Sequence, residues 1–270
     1  MTPQAAQSES LRTIQWRDLV PLTRWESAWE LSLSLPWLFA SLACYARAER
    51  SALWLLPAAA CTFFFFLTGL RQSHNAQHYA LGIGRRAQDV VLLTLSVLMM
   101  MSMHAVQVTH LIHHRHCLAE GDVEAAHAKE PWWRVLLCGP LFPVRLVLAA
   151  MRHGSPAKRR WIAAELSLMA AWLFVVFFVL HVPALKWHVA AVMTGESFTA
   201  FFAVWTVHHG CDEEHTVART QRGWMKNLVS YSMFYHLEHH LFPAVPTSHL
   251  PKLARRLDLA IPNFSERQVW

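Results

Sequence analysis

Two uninterrupted apolar runs limit what this chain can fold into. Ser51–Leu70 (SALWLLPAAACTFFFFLTGL) and Trp161–Leu180 (WIAAELSLMAAWLFVVFFVL) each supply the roughly 20 apolar residues that a helix needs to cross a bilayer core. Ser27–Cys44 and His188–Val207 are weaker runs of similar length. With 54% hydrophobic residues in 270, the chain reads as an all-α integral membrane protein. No leader pattern opens it, so insertion is expected to rest on the first span. The five cysteines, Cys44, Cys61, Cys117, Cys138 and Cys211, are scattered and frame neither a disulfide scaffold nor a zinc ribbon. The net charge of +6 is read as basic flanks beside anionic lipid, not as a nucleic-acid footprint.

The 18 histidines cluster. HNAQH carries His74 and His78, HLIHH carries His110, His113 and His114, and HLEHH carries His236, His239 and His240. VHHG adds His208 and His209. On a helix, residues three and four apart share a face. Each box therefore aims its nitrogens one way. Neutral imidazole is a ligand for iron, zinc, copper or nickel. A lone HxxxH is usually a packed or solvated pair; three boxes in one membrane chain are far more specific. The eight box histidines exceed the four ligands of one tetrahedral ion, so two metals are expected.

HNAQH, HLIHH and HLEHHLFP together resemble the histidine boxes of the integral-membrane fatty acid desaturase and hydroxylase superfamily, over roughly residues 63 to 259. The resemblance implies a non-haem centre of two iron ions, with O2 as co-substrate. It implies a lipid or long-chain hydrocarbon substrate. The family usually places one more ligand histidine after the last span, and VHHG resembles the Glu-His-Tyr-Gly found there in alkane hydroxylases. That match selects His208 over His209, although Val207 stands where the glutamate would be. The implied ligands are thus His74, His78, His110, His113, His114, His208, His236, His239 and His240. Asn227, upstream of the third box, would hold a metal-bound water or orient a ligand; its plainer role is a helix hydrogen bond. Asp122 is the acid expected to take a ligand's second N–H, with Glu124, Asp212, Glu213 and Glu214 also in reach along the chain. Glu238 points off the ligand face and is expected to form a salt bridge. Glu196, inside the last span, is either functional or bonded to Thr199. The spacing of His104, His116, His153, His181, His188 and His249 reads as structural.

All boxes must meet the same metals, so they must lie on one side. Asp89–Met103 separates box one from box two. At about 15 apolar residues it is too short to span, and it is expected to lie in the interface or dip in and return. Four transmembrane helices in two hairpins remain, with a cytoplasmic helical cap carrying the boxes. Of the 24 Lys and Arg, Arg47, Arg50 and Lys186 fall on the outer side. The positive-inside rule then puts both termini and the site in the cytoplasm, at a cell inner membrane. Trp25, Trp132, Trp133 and Trp161 suit an aromatic belt. Pro140 and Pro143 are expected to break Pro131–Met151 into an interfacial element. Ser248–Leu259 reads as an amphipathic helix, and the first ten residues as a disordered tail of a single domain, 1–270.

Breaking an unactivated C–H bond is work for a metal–oxygen species rather than for side chains. The ending HHLFPAVPTSHLPKL looks more like acyl desaturases than carotenoid enzymes, which favours introduction of a double bond into a fatty acyl chain. A carotenoid ketolase or hydroxylase, or another lipid or alkane hydroxylase, is the alternative. The complete boxes argue against a haem cytochrome and against a non-catalytic descendant. No haem or iron–sulfur motif of its own is present. An external electron donor of ferredoxin, rubredoxin or cytochrome type is therefore expected, received by Arg219, Arg222, Lys226, Arg255 and Arg256.

Overall fold

The computed structural model describes residues 11–212, 216–266, 268 and 269. The first ten residues, Glu213 and Glu214 lie outside the described residues. The described chain is helical, with only isolated β-bridges. Helices α1 (Arg24–Ser32) and α2 (Leu35–Ala48) are followed by α3 (Leu55–Gln77). Then come α4 (Arg85–Met99), α5 (Met103–Arg115), α6 (Trp132–Cys138), α7 (Phe142–His153) and α8 (Pro156–Phe174). Helix α9 (Pro183–Glu196) runs on through a π-helical stretch to His208. Helices α10 (Trp224–Val229), α11 (His236–Leu241) and α12 (Leu250–Ala260) complete the chain.

Three helical rods among the described residues are long and apolar enough to cross a membrane: Ala52–Gln77, Trp132–His153 and Pro156–Val179. Two bent pairs raise the number to five if each counts as one span. Helix α3, with 23 residues, is roughly 34 Å long. It packs along α2, and α9 lies against both. Side chains such as Phe39, Leu56 and Trp187 point outward from these helices. An apolar surface of that extent suits lipid, not water.

Between α4 and α5 the axis turns by 112°. Met100 adopts a left-handed φ of 59° at the turn, and Ser102 caps α5 through a hydrogen bond from Ala105 N. A buried carboxylate holds the turn from outside. Glu165 on α8 accepts from Ser102 Oγ at 2.6 Å and pairs with His104 Nδ1 at 2.5 Å. His104 Nε2 meets Asp89 at 3.2 Å, and Asp89 meets Lys158 at 3.1 Å. His104 is thus structural, as its spacing suggests. Partly buried Trp161 stacks on its ring at 4.9 Å. Trp25, Trp132 and Trp133 are exposed.

The rod Trp132–His153 qualifies another expectation. Pro140 and Pro143 do interrupt the α-helix, but only by a 3-10 turn, and one helical rod of 22 residues continues through it. Each sits in the first positions of a new helical segment, Pro140 in the short 3-10 turn Gly139–Leu141 and Pro143 in α7. There a missing N–H costs little. The exposed side chains Trp133, Leu137, Leu141, Val144, Leu148 and Met151 recur every three or four residues, so one face is apolar. At Gly139 the backbone crosses α9's C-terminal end closely; an added Cβ would lie 1.9 Å from the Ser197 carbonyl oxygen.

The last third of the chain closes over the ends of α3 and α5. Its core joins Leu237, Phe242, Val245, Leu253, Leu257 and Ile261 to Ile14 and Leu19. Helix α12 is the amphipathic element read from Ser248–Leu259. Leu250, Leu253, Ala254 and Leu257 are buried at helical spacing.

Candidate metal centre

The apolar run that makes α3 a membrane-length helix ends in a stretch of different character. From Arg71 to Gln77 every residue is buried, yet most are polar. Roughly these last two turns lie inside protein, between α1, α5 and the cap. His74 and His78 sit one turn apart on it. The left-handed Tyr79, φ 56°, then turns the chain away.

At the end of α5, His110, His113 and His114 face the same space. His110 Nδ1 donates to Glu124 at 2.8 Å and His113 Nδ1 to Asp122 at 2.7 Å. His208 Nδ1 donates to the Val217 carbonyl at 2.7 Å. Those partners only accept, so each ring carries its proton outward and turns a bare Nε2 inward. Asp122 is itself fixed by the amides of Leu118 and Ala125. The expected role of Asp122 therefore has the right geometry, and Glu124 does the same for His110.

The inward nitrogens crowd together. His208 Nε2 is 2.9 Å from His236 Nε2, which is 3.1 Å from His240 Nε2. His240 Nε2 is 3.3 Å from His113 Nε2. His114 Nε2 lies 2.9 Å from His239 Nε2 and 3.2 Å from His110 Nε2. Two sets emerge in which every ligand nitrogen lies within 4.8 Å of the others: His74, His78, His110 and His239, and His113, His208, His236 and His240. His114 sits between them. A third grouping of His113, Cys117 and Asp122 is His113 with its own carboxylate partner.

Nine imidazoles, six of them buried and His78, His114 and His240 partly buried, with their lone pairs converging form a poor protein core and a good cation site. His74 has no hydrogen-bond partner at either nitrogen, nor has His78 at Nε2 or His114 at Nδ1. Unmet buried nitrogens cost free energy unless something binds them. Two first-row transition-metal ions fit this donor set. On the cap, burial holds the pKa of His236, His239 and His240 well below the usual imidazole value, and neighbouring histidines add to the effect. They are neutral near pH 7, the form that binds metal. For Asp122, burial works against the charge, but its bond to His113 wins and the pKa is lowered. The Glu124 carboxyl is likewise lowered, because His110 outweighs burial.

The structure separates the adjacent histidines after α9. His208 is in the cluster, whereas His209 stacks on Trp205 at 4.3 Å and donates Nδ1 to the Ala128 carbonyl at 2.9 Å. His188 and His249 bond to Ser41 and to Leu19 and Glu26, away from the cluster. Asn227 donates Nδ2 to the carbonyls of Gln221 and Gly223, the bond of its plainer helix role, and its buried Oδ1 has no partner among the described residues. Glu238 forms the expected salt bridge, with Arg222 at 2.6 Å, and burial raises its carboxyl pKa despite that partner. Glu196 is bonded to Thr199 at 3.2 Å. Arg222 also pairs with Asp258, and Arg256 with Asp18, so these two arginines are engaged within the chain.

One supporting network was not read from the sequence. Glu30 on α1 is fully buried. It pairs with Arg71, accepts from Asn75 Nδ2 at 3.0 Å, and its carbonyl accepts from Gln72 at 2.7 Å. Asn75 Oδ1 in turn accepts from Thr247 N and Oγ1. Arg71 Nη1 donates to the Tyr231 carbonyl at 2.7 Å. The network locks α1 and the cap onto the helical turn that carries His74. Removing one member of such a buried pair costs about 3–5 kcal/mol. The available signal was a carboxylate inside an apolar run.

A cavity of roughly 1010 Å³ between α3 and α9 meets the cluster. It is bounded by His74, His110 and His236 at one end and by Tyr45 and Leu55 at the other, with Phe66 and Leu70 between. Leu55 and His74 are 19 residues apart on one helix, so the cavity follows roughly 29 Å of α3.

Membrane-length helices here carry polyhistidine boxes gathered into two sets that could each hold a metal ion. The chain belongs to the fatty acid desaturase family, whose model matches residues 49–268. It is similar to a beta-carotene ketolase of Paracoccus sp. (strain PC1), 27% identical over 231 residues, 79% of this chain and 88% of that protein. It is also similar to a beta-carotene ketolase of Paracoccus sp. (strain N81106 / MBIC 01143), 26% identical over 237 residues, 81% of this chain and 91% of that protein.

The geometry orders two substitutions. His208→Ala should lower the metal bound per purified chain, because it removes a nitrogen that points inward. His209→Ala should leave metal content near wild type. Elemental analysis of both variants checks this; the reverse order would shift the ligand by one residue.

Proposed function

We propose that the chain is an O2-dependent diiron oxidoreductase that attacks a C–H bond of a long hydrocarbon drawn from the bilayer. One observation carries this reading: an apolar cavity as long as a membrane span ends on convergent imidazoles. His74, His78, His110, His113, His114, His208, His236, His239 and His240 would hold the two irons. Bound there, iron supplies the oxygen activation that side chains lack. Asp122 and Glu124 keep their histidines oriented and hold the Nδ1 protons outward. The apolar walls keep water from the reacting carbon.

Within this class we favour insertion of a double bond into a fatty acyl chain. Reducing O2 to two waters takes four electrons. The substrate gives two as it loses two hydrogens, and an external ferredoxin, rubredoxin or cytochrome-type donor must give the other two. Arg219 and Arg255 remain candidates to receive an acidic donor. The second reading is ketolation or hydroxylation of a carotenoid, favoured by the names of the two similar proteins.

The chain is one domain, 1–270, with four spans in two hairpins. The spans are α1–α2, α3, α8 and α9 with its continuation. The α4–α5 pair enters and returns, because the rings of His78 and His110 lie 5.0 Å apart although the bent pair separates their boxes. Trp132–His153 lies in the interface. One end is tied near the cluster by Trp205 Nε1 donating to Glu130 O, and the other leads to Lys158, bonded to Asp89 at the start of α4. The boxes and termini face the cytoplasm of a cell inner membrane.

Labelling of single cysteines in sealed membranes tests the topology. Arg86→Cys and His116→Cys should react from one side and Glu49→Cys from the other. Opposite sidedness of 86 and 116 would contradict the re-entrant pair. Expression in a host that makes both acyl lipids and carotenoids, followed by mass spectrometry, tests the reaction. A loss of two hydrogens from acyl chains, absent with His239→Ala, is the expected result. A carotenoid gaining a carbonyl or hydroxyl oxygen would select the second reading, and no lipid change with iron and donor supplied would reject both.

A further inference from the structure

Helix α10 is anomalous for a cap on the aqueous side of a membrane protein. Trp224, Met225, Leu228 and Val229 are 74, 61, 67 and 51% exposed. Four large apolar side chains on six residues would stand in water if the cap sat clear of the bilayer, a costly arrangement. The segment is not loosely held. Asn227, its buried residue, bonds to the carbonyls of Gln221 and Gly223. Just beyond it, Tyr231 is tied by its carbonyl to Arg71 and by its hydroxyl to Trp37 Nε1 at 2.9 Å. The helix is fixed to α2 and α3 with its apolar face outward.

The same segment borders the cavity. Met225, Lys226, Val229 and Ser230 line it. So do Phe63 on α3 and Phe198 and Phe202 on the stretch after α9, all of which are exposed as well. Phe63 and Phe202 face each other across 6.2 Å. Exposed side chains that also line a cavity mark its mouth. Here the mouth lies between two membrane helices and α10.

We propose that Trp224–Val229 is inserted into the leaflet nearest the metal cluster and forms the lip over which a lipid enters the cavity. Its partner is the acyl region of the bilayer, because its apolar face adjoins the lipid-facing surface of α3 and α9. Trp224 and Lys226 are suited to the boundary, the indole by its amphipathic ring and the lysine by reaching back to the headgroups. This inference rests on the reading that the cavity takes its occupant from the bilayer.

Two measurements on the full chain in phosphatidylcholine–phosphatidylglycerol vesicles test it. A nitroxide on Leu228→Cys should be more accessible to molecular oxygen than to a water-soluble nickel chelate, while one on Arg255→Cys should show the opposite. A phosphatidylcholine with a diazirine on its acyl chain should crosslink to residues of 224–234. Water-side behaviour at 228, in a variant that unfolds at the wild-type temperature, would overturn the proposal. So would crosslinks at cavity residues of α3 and α9 that never reach 224–234, although the bilayer-fed cavity would stand. Crosslinks that miss every cavity residue would reject that underlying reading as well.

Discussion

Everything in this fold answers to one electrostatic constraint: nine imidazoles brought nitrogen to nitrogen in a buried space. Protonated, they would repel one another and lose hydration together. Neutral and empty, they leave lone pairs facing lone pairs. The arrangement is favourable when cations occupy the middle and acceptors surround the rim. The rim is present in Asp122, Glu124 and the Val217 carbonyl. These groups set which nitrogen of each ring is free to face inward.

The clustered histidines come from four separated segments, so the backbone must deliver four element ends to one place. Two carboxylates buried among membrane-length helices accomplish much of this. Glu165 on α8 clamps the sharp turn that starts α5, and Glu30 on α1 clamps the last turn of α3 to the cap. A buried ion pair is weak evidence for stability by itself. Its value here is geometric, because it fixes the register of box one against box three and the angle at which box two arrives.

The histidine boxes were legible because helical spacing is written directly in sequence. HxxxH and HxxHH fix a face before any contact is known. The convergence of boxes one and two was legible for a different reason: boxes on both sides of Asp89–Met103 cannot share metals unless the chain returns, and the structure bends by 112° there. His208 was separated from His209 only by resemblance, and the structure gives the physical distinction, the stacking of His209 on Trp205. The prolines marked where the α-helix is interrupted, but not how small the interruption is, because that depends on position within a helical segment, which composition does not reveal. Glu30, Arg71 and Thr247 were missed because their partners lie 41 to 172 residues away, and no local periodicity encodes such a pairing. Helix α10 escaped notice for a related reason. Six residues carry too weak a pattern until the cavity beside them is seen.

The account stands or falls on what the imidazoles hold. Iron K-edge absorption combined with elemental analysis of the purified, iron-loaded chain measures it directly. The expected result is about two irons per chain, with nitrogen scattering and the outer-shell pattern of imidazole, as two four-histidine sets require. A single iron per fully folded, fully loaded chain, or a coordination sphere dominated by sulfur, would contradict the two-ion centre on which this reading of the fold depends.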